Sequence, residues 1–164
     1  MKSAIVVLLL LLVVAPMMAQ QVITKDGKSV LLKADGTYEI LPDSAKATVH
    51  VYRYKQFMGK GLNPSVYCDE VQIAKMDNGR YFTVELNPGK HTFRSNDKQS
   101  EIALNAKPGT VYYIRVDIVS GFMKGHGRLT LIQAEQGEPE TAKLQYLSPG
   151  DVKDSRMVLT APKR

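Results

Sequence analysis

Four side chains carry the chemistry most easily recruited near neutral pH: His50, His91, His126 and Cys68. Histidine is the side chain whose ordinary pKa lies closest to neutrality and is the commonest metal ligand. A zinc site brings three or four such donors, or neighbouring acids, to one point. No two of these histidines stand at HxH or HxxxH spacing, so a metal site would have to be assembled by the tertiary fold, and none is expected. Cys68 shares a strand face with Val66. A free cysteine beside an apolar partner behaves as a small hydrophobe, whereas a reactive thiolate needs an exposed, electropositive setting. A buried structural role is the expectation. The nucleophile signature GxSxG is missing from the chain. The segment GFMKGHGR, residues 121–128, lacks the glycine spacing and the following Ser or Thr of a P-loop. No catalytic residue, cofactor or metal is therefore assigned, and the chain is expected not to be an enzyme. The competing reading is a small hydrolase or metal-dependent enzyme assembled from histidines and acids across loops.

Binding is the chemistry that remains. Glycines at 121, 125 and 127 let the backbone turn its N–H groups toward one point, while Lys124, His126 and Arg128 add positive charge there. A weak anion nest follows, against the plainer reading of a long connector whose glycines only permit a turn. A second group, Tyr81, Tyr113 and Arg115, falls on strand faces opposite the expected core. Aromatic rings stack and arginine forks hydrogen bonds, which suits sugar or peptide contact. If both sheet faces are covered, the same three become ordinary interior residues. These six residues form the candidate ligand surface.

The elements that must position them read as strands. Ala47, Val49 and Val51 alternate with Thr48, His50 and Tyr52; Phe82, Val84 and Leu86 alternate with Tyr81, Thr83 and Glu85. Asn87-Pro88-Gly89-Lys90 predicts a turn closing a hairpin with His91–Arg94. Asp69-Glu70 predicts a tight hairpin between Ser65–Cys68 and Val71–Met76, and residues 55–64 a longer loop. Strands are also expected over 100–105, 110–118 and 128–134. Seven to eight short strands with turns between them predict a mainly β chain, an antiparallel β-sandwich over 47–147. Acids and Pro139 near 137–146 predict a short C-terminal helix, and residues 148–164 a mobile tail.

Before the sandwich come two further units. Residues 1–19 read as a signal peptide: Lys2, then an unbroken apolar run from Ala4 to Ala15, then Pro16 and Ala19-Gln20. The run is short of the roughly 20 apolar residues that span about 30 Å of hydrocarbon. An uncleaved N-terminal anchor is the alternative, since Met17 is large for its place before the cleavage point. Residues 21–41, with Asp26-Gly27 and Asp35-Gly36, predict a small β-hairpin unit, followed by a linker over 42–46. Lys and Arg outnumber Asp and Glu by 22 to 16 without a dense run. Such a surplus favours anionic surfaces mildly and does not make a nucleic-acid footprint. A lone cysteine cannot form an internal disulfide, so export is compatible with the chain but not argued by it.

From Ala47 to about Leu147 the chain resembles the bacterial family of unknown function DUF2846. The residues that carry the likeness are ATVHVYRY (47–54), PSVYCDE (64–70), NGRYFTVELNPGKHTFRS (78–95), KPGTVYYIRVDI (107–118) and GFMKGHGRLTLI (121–132). Cys68 stands where a valine is usual in the family, and Glu70 where a turn glycine is usual. The PGKHTF piece also recurs in transthyretin-like and PEGA-like surface modules. The resemblance implies an exported bacterial β-sandwich with no assigned activity. The expectation for function is a periplasmic or secreted, non-enzymatic module that binds or scaffolds an envelope protein or glycan, with no membrane span after cleavage. An anionic-glycan or headgroup binder working through residues 121–128 is the alternative; the oligomeric state stays open.

Overall fold

The computed structural model describes residues 20–23, 29–33, 35–40, 45–57, 59–96, 100–119 and 125–161. The leader expected over 1–19 and most of the linker expected over 42–46 lie outside them. The chain divides into two compact units, Met1–Ile40 and Leu41–Arg164. In the first, β1 (Gln20–Ile23), β2 (Ser29–Leu32) and β3 (Tyr38–Ile40) form an antiparallel sheet in that order. Asp35-Gly36 makes the second turn: Gly36 takes φ 81°, and the Asp35 carboxylate accepts from the Thr37 N–H at 2.9 Å and its hydroxyl at 2.6 Å. Asp26-Gly27 lies outside the described residues.

The second unit is a two-sheet sandwich. One sheet holds β4 (Ala47–Tyr52), β7 (Arg80–Leu86), β10 (Val111–Val119), β11 (His126–Ile132) and β12 (Gln145–Tyr146), ordered β11-β10-β4-β7-β12. The other holds β5 (Ser65–Cys68), β6 (Val71–Lys75), β8 (Gly89–Arg94) and β9 (Ile102–Ala106), ordered β6-β5-β8-β9. Val49, Val51, Phe82, Val84, Ile114 and Val116 from the first sheet meet Val66, Cys68, Ile73, Phe93 and Leu104 from the second in one core. The alternation read from sequence thus places the apolar faces inward. A short helix, α1 (Ala134–Thr141), follows β11 and packs on β10.

Three expectations are corrected. The sandwich is mixed rather than wholly antiparallel: β10 runs parallel to β4, and β12 parallel to β7. Residue alternation fixes which face is buried but not strand direction. Asn87-Pro88-Gly89 does not close a hairpin, because β7 and β8 lie in different sheets; the turn carries the chain across the core. The turn at Pro108-Gly109 does the same between β9 and β10. The segment expected as a mobile tail is tied to both sheets. Val152 bridges Ala74, the Lys153 N–H donates to the Ile73 carbonyl at 2.8 Å, Val158 bridges Val84, and the Leu159 N–H donates to the Thr83 carbonyl at 2.8 Å. Residues 147–159 therefore close the open edge of β6 and the stretch of β7 beyond β12, with Leu147 and Val158 buried. Scattered apolar residues looked too sparse for a core, yet each fills one edge position.

Candidate functional site

Arg53 organises the loop between β4 and β5. It continues the inward parity of Val49 and Val51, and its side chain is 0% exposed. The guanidinium donates through Nη2 to the Gly59 carbonyl at 2.8 Å, and through Nη1 to the Leu62 carbonyl and, at 3.4 Å, the Met76 carbonyl. Nε has no partner among the described residues. Burial lowers its pKa, with Asp77 acting against that from a distance. A desolvated cation held by backbone carbonyls fixes those carbonyls in place, because moving any of them strands buried charge. The remaining bonds complete the loop. The Gln56 N–H donates to Asn78 Oδ1 at 2.9 Å, and Asn78 Nδ2 donates back to the Gln56 carbonyl at 2.8 Å. The Leu62 N–H donates to the Gly59 carbonyl at 2.9 Å. Gly59 needs φ 71°, and a Cβ there would touch Ile118 at 3.0 Å. Away from this framework Phe57 stands 86% exposed, with Lys60 Nζ 5.3 Å from its ring centroid. Neither Arg53 nor Phe57 was singled out from the sequence, although the inward parity of an arginine after three apolar residues was there to read.

The predicted ligand surface is assembled only in part. Tyr81, Tyr113, Arg115 and Arg128 share the outer face of the five-stranded sheet, where registers pair Tyr113 with His50, Arg115 with Tyr52, Tyr52 with Tyr81 and Asp117 with Arg128. That face is covered near β10. Gly137 of α1 lies so close to Tyr113 that a Cβ would overlap the ring, and Tyr113 is buried. Arg115 Nε donates to Asp117 at 3.0 Å, and its Nη1 faces Glu140 at 4.0 Å. Tyr52 donates to Glu140 as well. Partial burial acts to raise the Glu140 pKa, but the hydroxyls of Tyr52 and Tyr54, with Gln136 and Arg115, hold it below the ordinary carboxylate range. These groups satisfy one another and fasten α1 to the sheet, so the structure does not present Tyr113 and Arg115 as an open surface. Tyr81 is half-buried and stacks edge-on with Tyr146 at 5.0 Å. His50 is inserted between Tyr81 and Tyr113 at 6.3 and 5.2 Å, with Nδ1 2.9 Å from Thr83 Oγ1; burial lowers its pKa. Lys124 lies outside the described residues. His126 opens β11, partly buried, and Arg128 is exposed opposite an Asp117 already engaged by Arg115.

One group of metal-capable donors converges among the described residues: Cys68, Asp69 and His91. Cys68 is buried in the core as expected, and burial together with the neighbouring Asp69 pushes its thiol up to about 12. Asp69 and Glu70 form the β5–β6 turn at φ 48° and 66°, values that non-glycine residues rarely adopt. Their side chains hold it there: Asp69 bonds Thr92 and His91, and Glu70 forks Arg94, which stacks 4.0 Å over Tyr67. Spacing along the chain could not show that His91 lies beside the turn, since only the β5–β8 pairing brings it there.

No helix among the described residues is long and apolar enough to cross a membrane. No solved structure matches the chain, and the transthyretin-like comparison has no counterpart in these findings. An uncharacterised protein of Haemophilus influenzae is 27% identical over 105 residues, covering 63% of this chain and 62% of the relative, so the chain spans less than two thirds of that protein's length. Residues 43–128, just over half of the sequence, match the family described as Protein of unknown function (DUF2846), and the chain belongs to that family.

Proposed function

We propose that the protein is an exported, non-enzymatic binding module of the bacterial envelope, and that its contact loop is the Arg53-held connection between β4 and β5. The observation that carries this is the pairing of a fully buried arginine with an 86% exposed phenylalanine in one loop. Ordering a loop before contact removes much of the conformational cost of association. Large aromatic side chains are enriched at interface cores and among the residues that anchor them. Phe57 is offered to the outside on a framework built beforehand, beside the exposed Lys55 and Lys60. The ring stacks on an apolar or sugar face, and the lysines favour a partner that is anionic, whether envelope protein or glycan. A non-catalytic reading is further supported by the histidines: His50 is packed on one sheet and His91 lies in β8 of the other.

The test is co-sedimentation of the purified chain with an envelope fraction of its own bacterium. Wild type is expected to bind saturably, and Phe57→Ala to lose at least about 30-fold in affinity, the effect of a 2 kcal/mol hot spot. Equal binding by Phe57→Ala, or none by wild type, contradicts the reading.

A further inference from the structure

Three different donor types meet at the β5–β6 turn: Cys68 Sγ, an Asp69 carboxylate oxygen and a His91 ring nitrogen lie within 4.8 Å of one another. His91 Nε2 is 2.9 Å from the Asn87 carbonyl, and Nδ1 is 2.7 Å from Asp69 Oδ2. A carbonyl only accepts, so Nε2 carries a hydrogen. In a neutral ring Nδ1 then presents a lone pair, and the ionised carboxylate opposite is also an acceptor only. At 2.7 Å a hydrogen bridges the two, and a metal ion is the positive species that can take its place. We propose that this corner is a Zn2+ site with Cys68, Asp69 and His91 as its protein ligands and water in the fourth position.

The surroundings fit that ion. A metal-ligating histidine is held by donating its other ring N–H to a carbonyl or carboxylate, and Asn87 does this. The second Asp69 oxygen accepts from the Thr92 N–H at 2.8 Å, which orients the carboxylate. Tetrahedral bonds of about 2.0–2.3 Å set donors about 3.2–3.8 Å apart, so His91 Nδ1 and Asp69 Oδ2, 2.7 Å apart, separate by roughly half an ångström to admit the ion. A mixed N, S and O set suits zinc, whereas calcium and magnesium take oxygen alone. The Asp69 side chain is 45% exposed, which leaves solvent access for the fourth ligand. Beside that carboxylate the thiol resists ionising; a bound dication removes the opposition and holds the thiolate. Binding therefore releases the thiol proton, and the proton between His91 and Asp69, to solvent.

This site is separate from the Phe57 loop, so either assignment can fail alone. The experiment is titration of the tag-free chain with Co2+ as a spectroscopic probe and with Zn2+ by calorimetry. The expected result is one ion per chain and a thiolate-to-cobalt charge-transfer band. Cys68→Val abolishes the band, and Cys68→Val and His91→Gln each weaken Zn2+ by at least about tenfold. Affinity rises with pH as the displaced protons leave more easily. Cys68→Val conserves core volume and His91→Gln lies near the surface, and a cooperative urea transition shows that each is folded. Absence of stoichiometric binding, absence of the band, or affinity unchanged in both folded variants means that a proton alone bridges His91 and Asp69, and overturns the proposal.

Discussion

Replacing Arg53 by methionine isolates the element on which the contact loop depends. Methionine keeps the length and apolar stem but removes the donors to Gly59, Leu62 and Met76. Hydrogen bonds from a charged group contribute about 1.5–3 kcal/mol each. The 3.4 Å contact to Met76 is long and adds little, so the two loop bonds set a gross loss of about 3–6 kcal/mol. Against this, the substitution abolishes a buried charge whose Nε lacks a partner among the described residues, a relief of about 1–3 kcal/mol. The net expectation is about 2–3 kcal/mol of destabilisation, concentrated in the loop. Urea unfolding reads the global part. Amide hydrogen exchange reads the local part: the Leu62 N–H, bonded to Gly59, should exchange much faster, while amides of the β4–β7 ladder slow or quicken only with global stability. A variant within about 0.5 kcal/mol of wild type, the span of neutral surface changes, with Leu62 still protected, would refute the idea that Arg53 organises the loop.

Gly137→Ala should destabilise despite the helix propensity of alanine, worth about 1 kcal/mol. The new Cβ overlaps the Tyr113 ring and its stem, so α1 must shift; overpacking of about 1–3 kcal/mol outweighs the gain, and a raised urea midpoint would contradict this. His50 has a folded pKa lowered by burial, so the unfolded chain takes up a proton first. Its contribution is present above the unfolded value near 6.5 and is lost as pH falls toward the folded value. Wild type should lose stability between pH 7.5 and 5 to a greater degree than His50→Gln; parallel profiles would exclude His50 as the cause. Export is tested by N-terminal sequencing of the chain recovered from the envelope fraction, which should begin at or near Gln20; intact Met1 would indicate a retained anchor.

The strand faces were legible because burial alternates with period two, and Val49, Val51, Phe82 and Val84 all point inward as read. The sheets to which the strands belong were not. A Pro-Gly turn has the same chemistry whether the following strand pairs back or crosses to the other sheet, so Asn87–Lys90 looked like a hairpin. The tail misled for a related reason: Val152 and Val158 each fill one edge position, and edge closure needs no periodic run. In the site, Tyr81, Tyr113 and Arg115 were correctly grouped on one outer face, but α1 covers part of it through a contact 24 positions along the chain, from Gly137 to Tyr113. Arg53 kept the parity of the core and was passed over because an arginine at an inward position is rare. Cys68, Asp69 and His91 were each noticed or nearly so; only the pairing of β5 with β8 joins them.

The most direct measurement of the central claim is photo-crosslinking in living cells from a reactive amino acid placed at position 57, with Val71, an exposed apolar residue of β6, as the comparison. Position 57 should give a discrete adduct that position 71 does not, and Arg53→Met should abolish it while the sandwich stays folded. No adduct at 57, the same adducts at both positions, or an adduct indifferent to Arg53→Met would contradict the account.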